Sequence, residues 1–201
     1  MKEAIVDSEW SGSESNVDLY SICMEICCQV VAKKFKPIGG PGLTVEIGDS
    51  NFGPKEYRSG TIIEDVWVLG GICRENNECF LVQVPSRDTN TLMQIILKHV
   101  LPGTKIVTRC LKTYCSSSDP DFDHLKVNHN INFMDPETRT GTQKLVSTWS
   151  QLKRKLPYTH QVKNEQIHLY LGKYLWNKIV KRKKVHPFEY FLKCLSKLGI
   201  C

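Results

Sequence analysis

The sequence predicts an α/β domain built on a mixed sheet. Three β-type segments come first, one helix follows, two further strands come next, and the last part of the chain is helical. Of the 201 residues, 41% are hydrophobic and 24% are charged. These values are ordinary for a folded domain and argue against a disordered chain. The length favours a single domain.

The predicted strands are apolar segments that alternate or are rich in Ile, Val and Trp, and turn residues bound them. The Gly-Gly-Pro-Gly stretch at 39–42 precedes the first strand, and the polar stretch 49–60 predicts a loop after it. A short turn at 74–77 makes the second and third strands a hairpin. The five predicted strands are 43–47, 61–73, 78–84, 104–108 and 124–129.

The predicted helices carry apolar residues at helical spacing. Asp88 is a suitable N-cap for the second helix, Pro102-Gly103 ends it, and Pro157 ends the third. The predicted helices are 17–35, 89–100, 142–156, 164–180 and 187–198. This order of elements fits a ribonuclease-H-like core, a five-stranded mixed sheet with helices on both faces.

The charge of the chain is concentrated at its end. The whole sequence has a net charge of +6, whereas residues 149–201 hold 12 Lys and Arg against two Asp and Glu. Such asymmetry indicates a surface that faces a polyanion, most simply nucleic acid. The alternative is a well-solvated basic helix face, and charge alone does not separate the two.

Neither the nine cysteines nor the first residues of the chain show a pattern typical of a secreted protein. The number of cysteines is odd and none has C-x-x-C spacing, so we expect reduced, buried thiols rather than disulfides or a zinc site. Residues 1–16 are acidic and rich in Ser, which predicts a loose leader and no signal peptide. No apolar run approaches the length of a membrane span. We therefore expect an intracellular protein with no membrane association.

A set of longer motifs carries a resemblance to a known family. The motifs, in chain order, are IGGPG at 38–42, VEI at 45–47, WVLGGI at 67–72, ECFLV at 78–82, II at 95–96, VLPGT at 100–104, VNHNINF at 127–133, DPET at 135–138, STW at 147–149, LKR at 152–154 and YLW at 174–176. Together they resemble the DDE transposases of the insertion-sequence ISXO-two-like group, from about residue 18 to about residue 192. The resemblance implies a ribonuclease-H-like fold with the first strand central and an ancestral DNA strand-transfer activity.

The family's chemistry uses acidic side chains that converge on Mg²⁺ or Mn²⁺, and this sequence departs from that pattern at each ligand position. The first catalytic Asp matches Gly48, and the acid of the fourth strand matches Arg109. The ligand on the later helix falls at Gln143 or Val146. We therefore predict a catalytically degenerate copy without a bound cofactor, although active relatives use a divalent metal.

Two nearby carboxylates are possible remnants of the acidic site. Glu46 lies two residues before Gly48 and so points to the same face of the sheet, whereas Asp49 points to the opposite face unless a bulge re-aims it. We predict that Glu46 pairs with Arg109 inside the former site. An active enzyme with relocated acidic ligands and an inert or protein-binding relic are the alternatives.

The candidate nucleic-acid-binding residues are basic side chains at the ends of two predicted helices: Lys153, Arg154, Lys181, Arg182, Lys183 and Lys184. We expect them to contact DNA phosphates weakly and without sequence preference. The run at 181–184 has two alternatives, a solvated helix end and a nuclear-import signal, which would place the protein in the nucleus.

The predicted domain organisation has three parts: a leader at 1–16, the transposase-like domain at 17–180 and a basic helical extension at 181–201. Many relatives carry an N-terminal module that recognises the ends of the element. We expect no such module here and hence no sequence-specific end recognition. The sequence leaves the oligomeric state open.

Overall fold

The computed structural model describes residues 13–52, 66–109, 123–127, 142–156 and 166–198. The helices in these residues are α1 (Ser13–Lys33), α2 (Thr89–His99), α3 (Gln143–Lys155), α4 (Ile167–Lys183) and α5 (Pro187–Leu198). The strands are β1 (Ile38–Gly39), β2 (Thr44–Asn51), β3 (Trp67–Cys73), β4 (Cys79–Val84), β5 (Val100–Leu101), β6 (Lys105–Arg109) and β7 (Asp123–Val127).

The central element is a five-stranded mixed sheet in the order β4-β3-β2-β6-β7. Strand β3 is antiparallel to both of its neighbours, β2 and β4. Strand β6 runs parallel to β2, and β7 runs parallel to β6. Strand β2 is therefore in the middle, as predicted.

Helices cover both faces of this sheet. Helix α2 packs on one face, where Leu92 and Ile96 join a buried cluster with Val45 and Ile47 of β2. Helices α3 and α4 pack on the other face through a second cluster, which includes Trp149. Because successive side chains of a strand point to opposite faces of the sheet, alternate apolar residues pack into the two clusters. The predicted ribonuclease-H-like architecture, a mixed sheet with helices on both faces, is confirmed.

The caps and ends of the elements differ in detail from the predictions. The N-cap at Asp88 is confirmed, because its carboxylate accepts a hydrogen bond from Thr91 N at 2.9 Å. Hydrogen bonds from Thr91 Oγ1, at 2.6 Å, and from Thr91 N lower the pKa of Asp88 to about 2. The predicted loop from residue 49 is wrong over its first three residues, because β2 keeps its pairing with β3 as far as Asn51 opposite Trp67. Residues 53–65 lie outside the described chain.

Helix α4 ends three residues later than predicted and includes most of the basic run. It ends at Lys183, and Lys184 closes it in the left-handed conformation with φ 51°. Cations in a last turn interact favourably with the helix dipole, so a basic run extends this helix rather than ending it. A two-residue parallel pair, Ile38–Gly39 with Val100–Leu101, was not predicted because so short a segment has no periodicity.

A third apolar cluster joins α1, α4 and α5. Its buried members include Cys27, Trp176 and Cys194. All six cysteines in the described residues are free thiols, three of them buried, and burial raises the pKa of Cys27 to about 12. Among these residues, no helix has both the length and the apolar character that a membrane span requires.

Gly172 allows α1 and α4 to approach closely, since a Cβ added there would collide with Cys28 Sγ and lie 3.1 Å from Cys28 Cα. Ala is favoured over Gly by about 1 kcal/mol in an open helix. We nevertheless expect Gly172→Ala to lower the free energy of unfolding, because overpacking costs about 1–3 kcal/mol. Urea denaturation measures this change. Cys28→Ala in the same background should recover part of the loss. A gain in stability for Gly172→Ala alone would contradict the close contact.

Candidate functional site

The positions at which the resemblance places metal ligands lie on β2, at the end of β6 and in the first turn of α3. Strand β2 pairs residue by residue with β3 from Val45 to Asn51, without a bulge. Glu46 and Gly48 therefore face α3, and Asp49 faces the opposite side of the sheet, as the sequence indicated. The three positions thus divide between two faces.

The space beside Gly48 is tight, because a side chain of α3 packs against this position. A Cβ at this position would lie 3.1 Å from Leu145 Cδ2, a side chain of the first turn of α3. Leu145 is itself buried in the cluster beneath α3. An apolar side chain therefore occupies the space beside the strand where the resemblance places the first catalytic carboxylate.

Both oxygens of Glu46 are occupied by hydrogen-bond donors. Glu46 is 2% exposed, its Oε1 accepts a hydrogen bond from Arg74 Nε at 2.8 Å, and its Oε2 accepts one from Leu145 N at 2.9 Å. The side chain of Thr142, the N-cap of α3, makes no capping bond. Glu46 thus satisfies an otherwise unpaired N–H at the start of the helix, where the helix dipole favours a negative charge.

Asp49 has a separate structural role on the other face. Its side chain is only 3% exposed and accepts a hydrogen bond from Arg87 Nε at 2.7 Å. The Arg87 guanidinium also lies 3.7 Å from the ring centroid of Trp67. Asp49 is therefore held by a stacked arginine and does not join Glu46.

The remaining predicted ligand positions lie at the ends of their elements. Arg109 is the last residue of β6, one step beyond Thr108, which pairs with Ile47. Gln143 is the exposed first residue of α3, and Val146 is half-buried in its first turn. The side chain of Arg109 lies outside the described residues, so its pairing with Glu46 stays a prediction.

Arg74 is the partner of Glu46 that sequence reasoning missed. Ile72 pairs with Glu46 across the antiparallel ladder, and Arg74 lies two residues further along the same face, in the hairpin turn. Because side chains two apart on a strand point to one face, the hairpin register could have indicated this contact.

The donor set does not fit a two-metal centre. Mg²⁺ and Mn²⁺ need several converging oxygen ligands, and the only carboxylate of this site in the described chain is Glu46, whose two oxygens bind Arg74 and Leu145. Across the described ranges, no three His, Cys, Asp or Glu side chains come close enough together to hold a metal ion.

The candidate DNA-binding residues lie in the last turns of α3 and α4, where they are exposed. Lys153 Nζ lies 5.1 Å from the ring centroid of Phe52, and Arg154 Nε donates to Ser150 O at 3.3 Å. Arg182 is already in an ion pair with Glu78 at 2.5 Å, which the sequence did not indicate. Screening makes this exposed pair weak.

Comparison with known proteins identifies a transposase-like domain in this chain. The model of the ISXO2-like transposase domain matches residues 48–178, well over half of the chain. The chain belongs to this family.

Two individual relatives are more distant. An uncharacterized transposase-like protein of Haemophilus influenzae is 27% identical over 97 residues, which cover 48% of this chain and 77% of that protein. A structure of the HTLV-2 integrase catalytic core domain in complex with magnesium covers 71% of this chain and 87% of its own. It has 10% identity and a TM-score of 0.39. The fold assignment rests on the strand order and the family match rather than on this distant likeness.

Proposed function

We propose that this protein is a transposase-derived DNA-binding protein that has lost the strand-transfer reaction. The observation that carries the proposal is the contact of Leu145 with Gly48, beside a Glu46 whose carboxylate caps α3 and pairs with Arg74. Residues that would hold metal in an active relative are here used for packing and for a structural ion pair.

The loss of catalysis follows from the chemistry of the positions. Two-metal strand transfer requires ligands on the attacking and the leaving side of the phosphate. Gly48 and Val146 carry no ligand atom, and Arg109 places a cation at a position where an anion would bind M²⁺. Restoring an acid at position 48 would require Leu145 to shift and would still leave the other ligand positions without an acid.

The DNA-binding part of the proposal is supported by charge. Residues 149–201 carry 12 Lys and Arg against two Asp and Glu, and Lys153 and Arg154 are exposed at the end of α3. Phosphate contacts from such side chains bind without reading sequence. We propose the same role for Lys181, Lys183 and Lys184, and the nuclear-import role of this run stays an alternative prediction.

We expect the purified protein neither to nick nor to join DNA in Mg²⁺ or Mn²⁺, because the ligand set is missing. A supercoiled-plasmid nicking assay and a strand-transfer assay with labelled oligonucleotides measure the two reactions. A thermal-shift titration with MnCl₂ should leave the melting temperature unchanged. Robust metal-dependent nicking that Glu46→Gln or Asp49→Asn abolishes would show instead that acids relocated within the chain form an active site.

We expect weak DNA binding whose strength falls steeply with salt, with a dissociation constant of about 10⁻⁴–10⁻⁶ M at physiological ionic strength. Because each phosphate contact adds about 0.9 to the log–log salt slope, Lys153→Ala with Arg154→Ala should lower the slope by roughly two units. Fluorescence anisotropy with duplexes of unrelated sequence measures both quantities.

The matched control for this experiment is Lys105→Ala, which removes an exposed cation from β6. It should leave the slope unchanged. If the wild-type protein shows no salt-dependent affinity for any duplex, the DNA-binding proposal is wrong and a protein-binding or inert relic explains the chain better.

A further inference from the structure

A groove runs along the outer edge of β4, away from the degenerate site. Its volume is about 980 Å³, and its walls come from the end of α1, the hairpin turn before β4, the end of α2 and the length of α4. In the described part of the chain, β4 is the last strand of the sheet and has β3 as its one strand neighbour. The groove therefore lies against a free strand edge.

The backbone of β4 directs polar groups into this groove. Cys73 N donates to Glu78 O at 2.8 Å, which sets the register of the hairpin. In an antiparallel ladder, alternate residues bond to the neighbouring strand and the residues between them point outward. Cys79, Leu81 and Gln83 are the outward-pointing residues, and all three line the groove.

Strand β4 lacks the features that usually protect a sheet edge. Its sequence is CFLVQV, with neither Pro nor a charged residue, and it is regular over its full length opposite β3. Exposed edges are normally blocked by charges, Pro, bulges or a covering element. Within β4 itself, no charge, Pro or bulge blocks this edge.

The charges around the groove are nearly all positive. Six Lys and Arg side chains line it: Lys34, Lys36, Lys98, Lys178, Lys181 and Arg182. The one carboxylate among the lining residues is Glu78, and it is already paired with Arg182. A ligand with several negative charges fits this rim.

The floor of the groove is apolar. Ile38, Phe80 and Leu171 are buried there, and the half-exposed Phe35 ring packs on His99 at 4.7 Å between ring centroids. Burial lowers the pKa of His99, so the ring is neutral at pH 7 and adds no charge to the floor. An extended peptide can place apolar side chains on this floor and carboxylates beside the lysines, whereas the outer surface of a DNA duplex carries phosphates.

We propose that an extended acidic segment of a partner protein binds in this groove as an additional strand on β4. The backbone of the segment would form hydrogen bonds with the outward-pointing N–H and C=O groups of Leu81 and Gln83. One set of its alternating side chains would cover the apolar floor, and carboxylates would face Lys36 and Lys98. This inference concerns a different surface from the degenerate site and does not depend on the proposed DNA binding.

The test uses a short fluorescein-labelled peptide in which valine and glutamate alternate. We expect saturable, salt-sensitive anisotropy with wild-type protein. The same peptide N-methylated at alternate amides, on the face that pairs with β4, should bind at least about tenfold more weakly, because the ladder bonds are lost. This comparison leaves the protein unaltered, so it does not depend on the folding of a variant.

Two protein variants locate the binding. Gln83→Pro removes one outward N–H at an edge position where Pro is tolerated, and should weaken binding about tenfold, whereas Gln83→Ala should not. Lys36→Glu with Lys98→Glu should also weaken binding. The charge-matched control is Lys193→Glu with Lys197→Glu on α5, which should leave peptide binding unchanged.

Three results would overturn the proposal. The first is a wild-type protein that does not bind the peptide. The second is binding that N-methylation and Gln83→Pro both leave unchanged. The third is displacement of the peptide by oligonucleotides together with insensitivity to Gln83→Pro, which would make the groove a polyanion site. Because Lys36 and Lys98 are outside the predicted DNA-binding set, failure here and failure of the proposed DNA binding are separate outcomes.

Discussion

Trp149→Ala is expected to lower the free energy of unfolding by about 3–5 kcal/mol, the usual range for removing a large buried aromatic side chain. Trp149 is 7% exposed and packs edge-on to Phe52 at 5.7 Å between ring centroids. A Cβ added at Gly70 would lie 2.6 Å from its Cη2 atom, so the ring sits directly on the backbone of β3. Urea denaturation followed by circular dichroism measures the loss.

The neighbouring position supplies the control for Trp149. Ser150 is exposed on the same helix, and Ser150→Ala should change stability by no more than about 0.5 kcal/mol. Gly70→Ala should also destabilise the protein, because its methyl group would displace the Trp149 ring. A loss of less than about 1 kcal/mol for Trp149→Ala would contradict the packing of α3 on the sheet.

Glu46→Ala is expected to cost roughly 3 kcal/mol, because it removes a buried ion-pair partner and leaves two donors without their acceptor. The two donors are Arg74 Nε and Leu145 N. Glu46→Gln keeps an acceptor for the helix N–H but loses the charge, so its cost should be smaller. Chemical denaturation of the three proteins in parallel measures the difference.

Glu189→Ala is the matched control for Glu46, since it removes an exposed carboxylate from the first turn of α5. We expect a loss of no more than about 1 kcal/mol there. If Glu46→Ala were neutral in stability, Glu46 would have no structural role. That result would remove one support of the proposed loss of catalysis.

Much of the fold could be predicted because its signals are local. Apolar alternation in 43–47 and helical periodicity in 164–180 depend only on neighbouring residues, and both segments form the expected elements. Asp88 was predicted as an N-cap from its place before an apolar helix, and it accepts the expected hydrogen bond. The errors are at boundaries, as at Asn51, where pairing with β3 extends a strand into polar sequence.

For the candidate site, the sequence could predict which positions have no metal-binding side chain, but not the contacts of the remaining residues. Gly48 and Val146 have no ligand atoms whatever surrounds them, and the place of Gly48 on the central strand followed from the motif around it. The partners of Glu46 could not be predicted in the same way. Arg74 and Leu145 come from a hairpin and a helix far apart in the chain, and their meeting depends on how α3 docks on the sheet.

The sequence by itself determined the family and the central position of β2, because these follow from residue identities and from short-range patterns, and it predicts the loss of the acidic ligands. Only the tertiary structure decided that Leu145 fills the space beside Gly48 and that Glu46 caps α3. It also decided that the uncharged edge of β4 opens into a basic groove. Those features depend on which distant segments come into contact when the sheet and helices pack. Local sequence patterns do not predict such contacts.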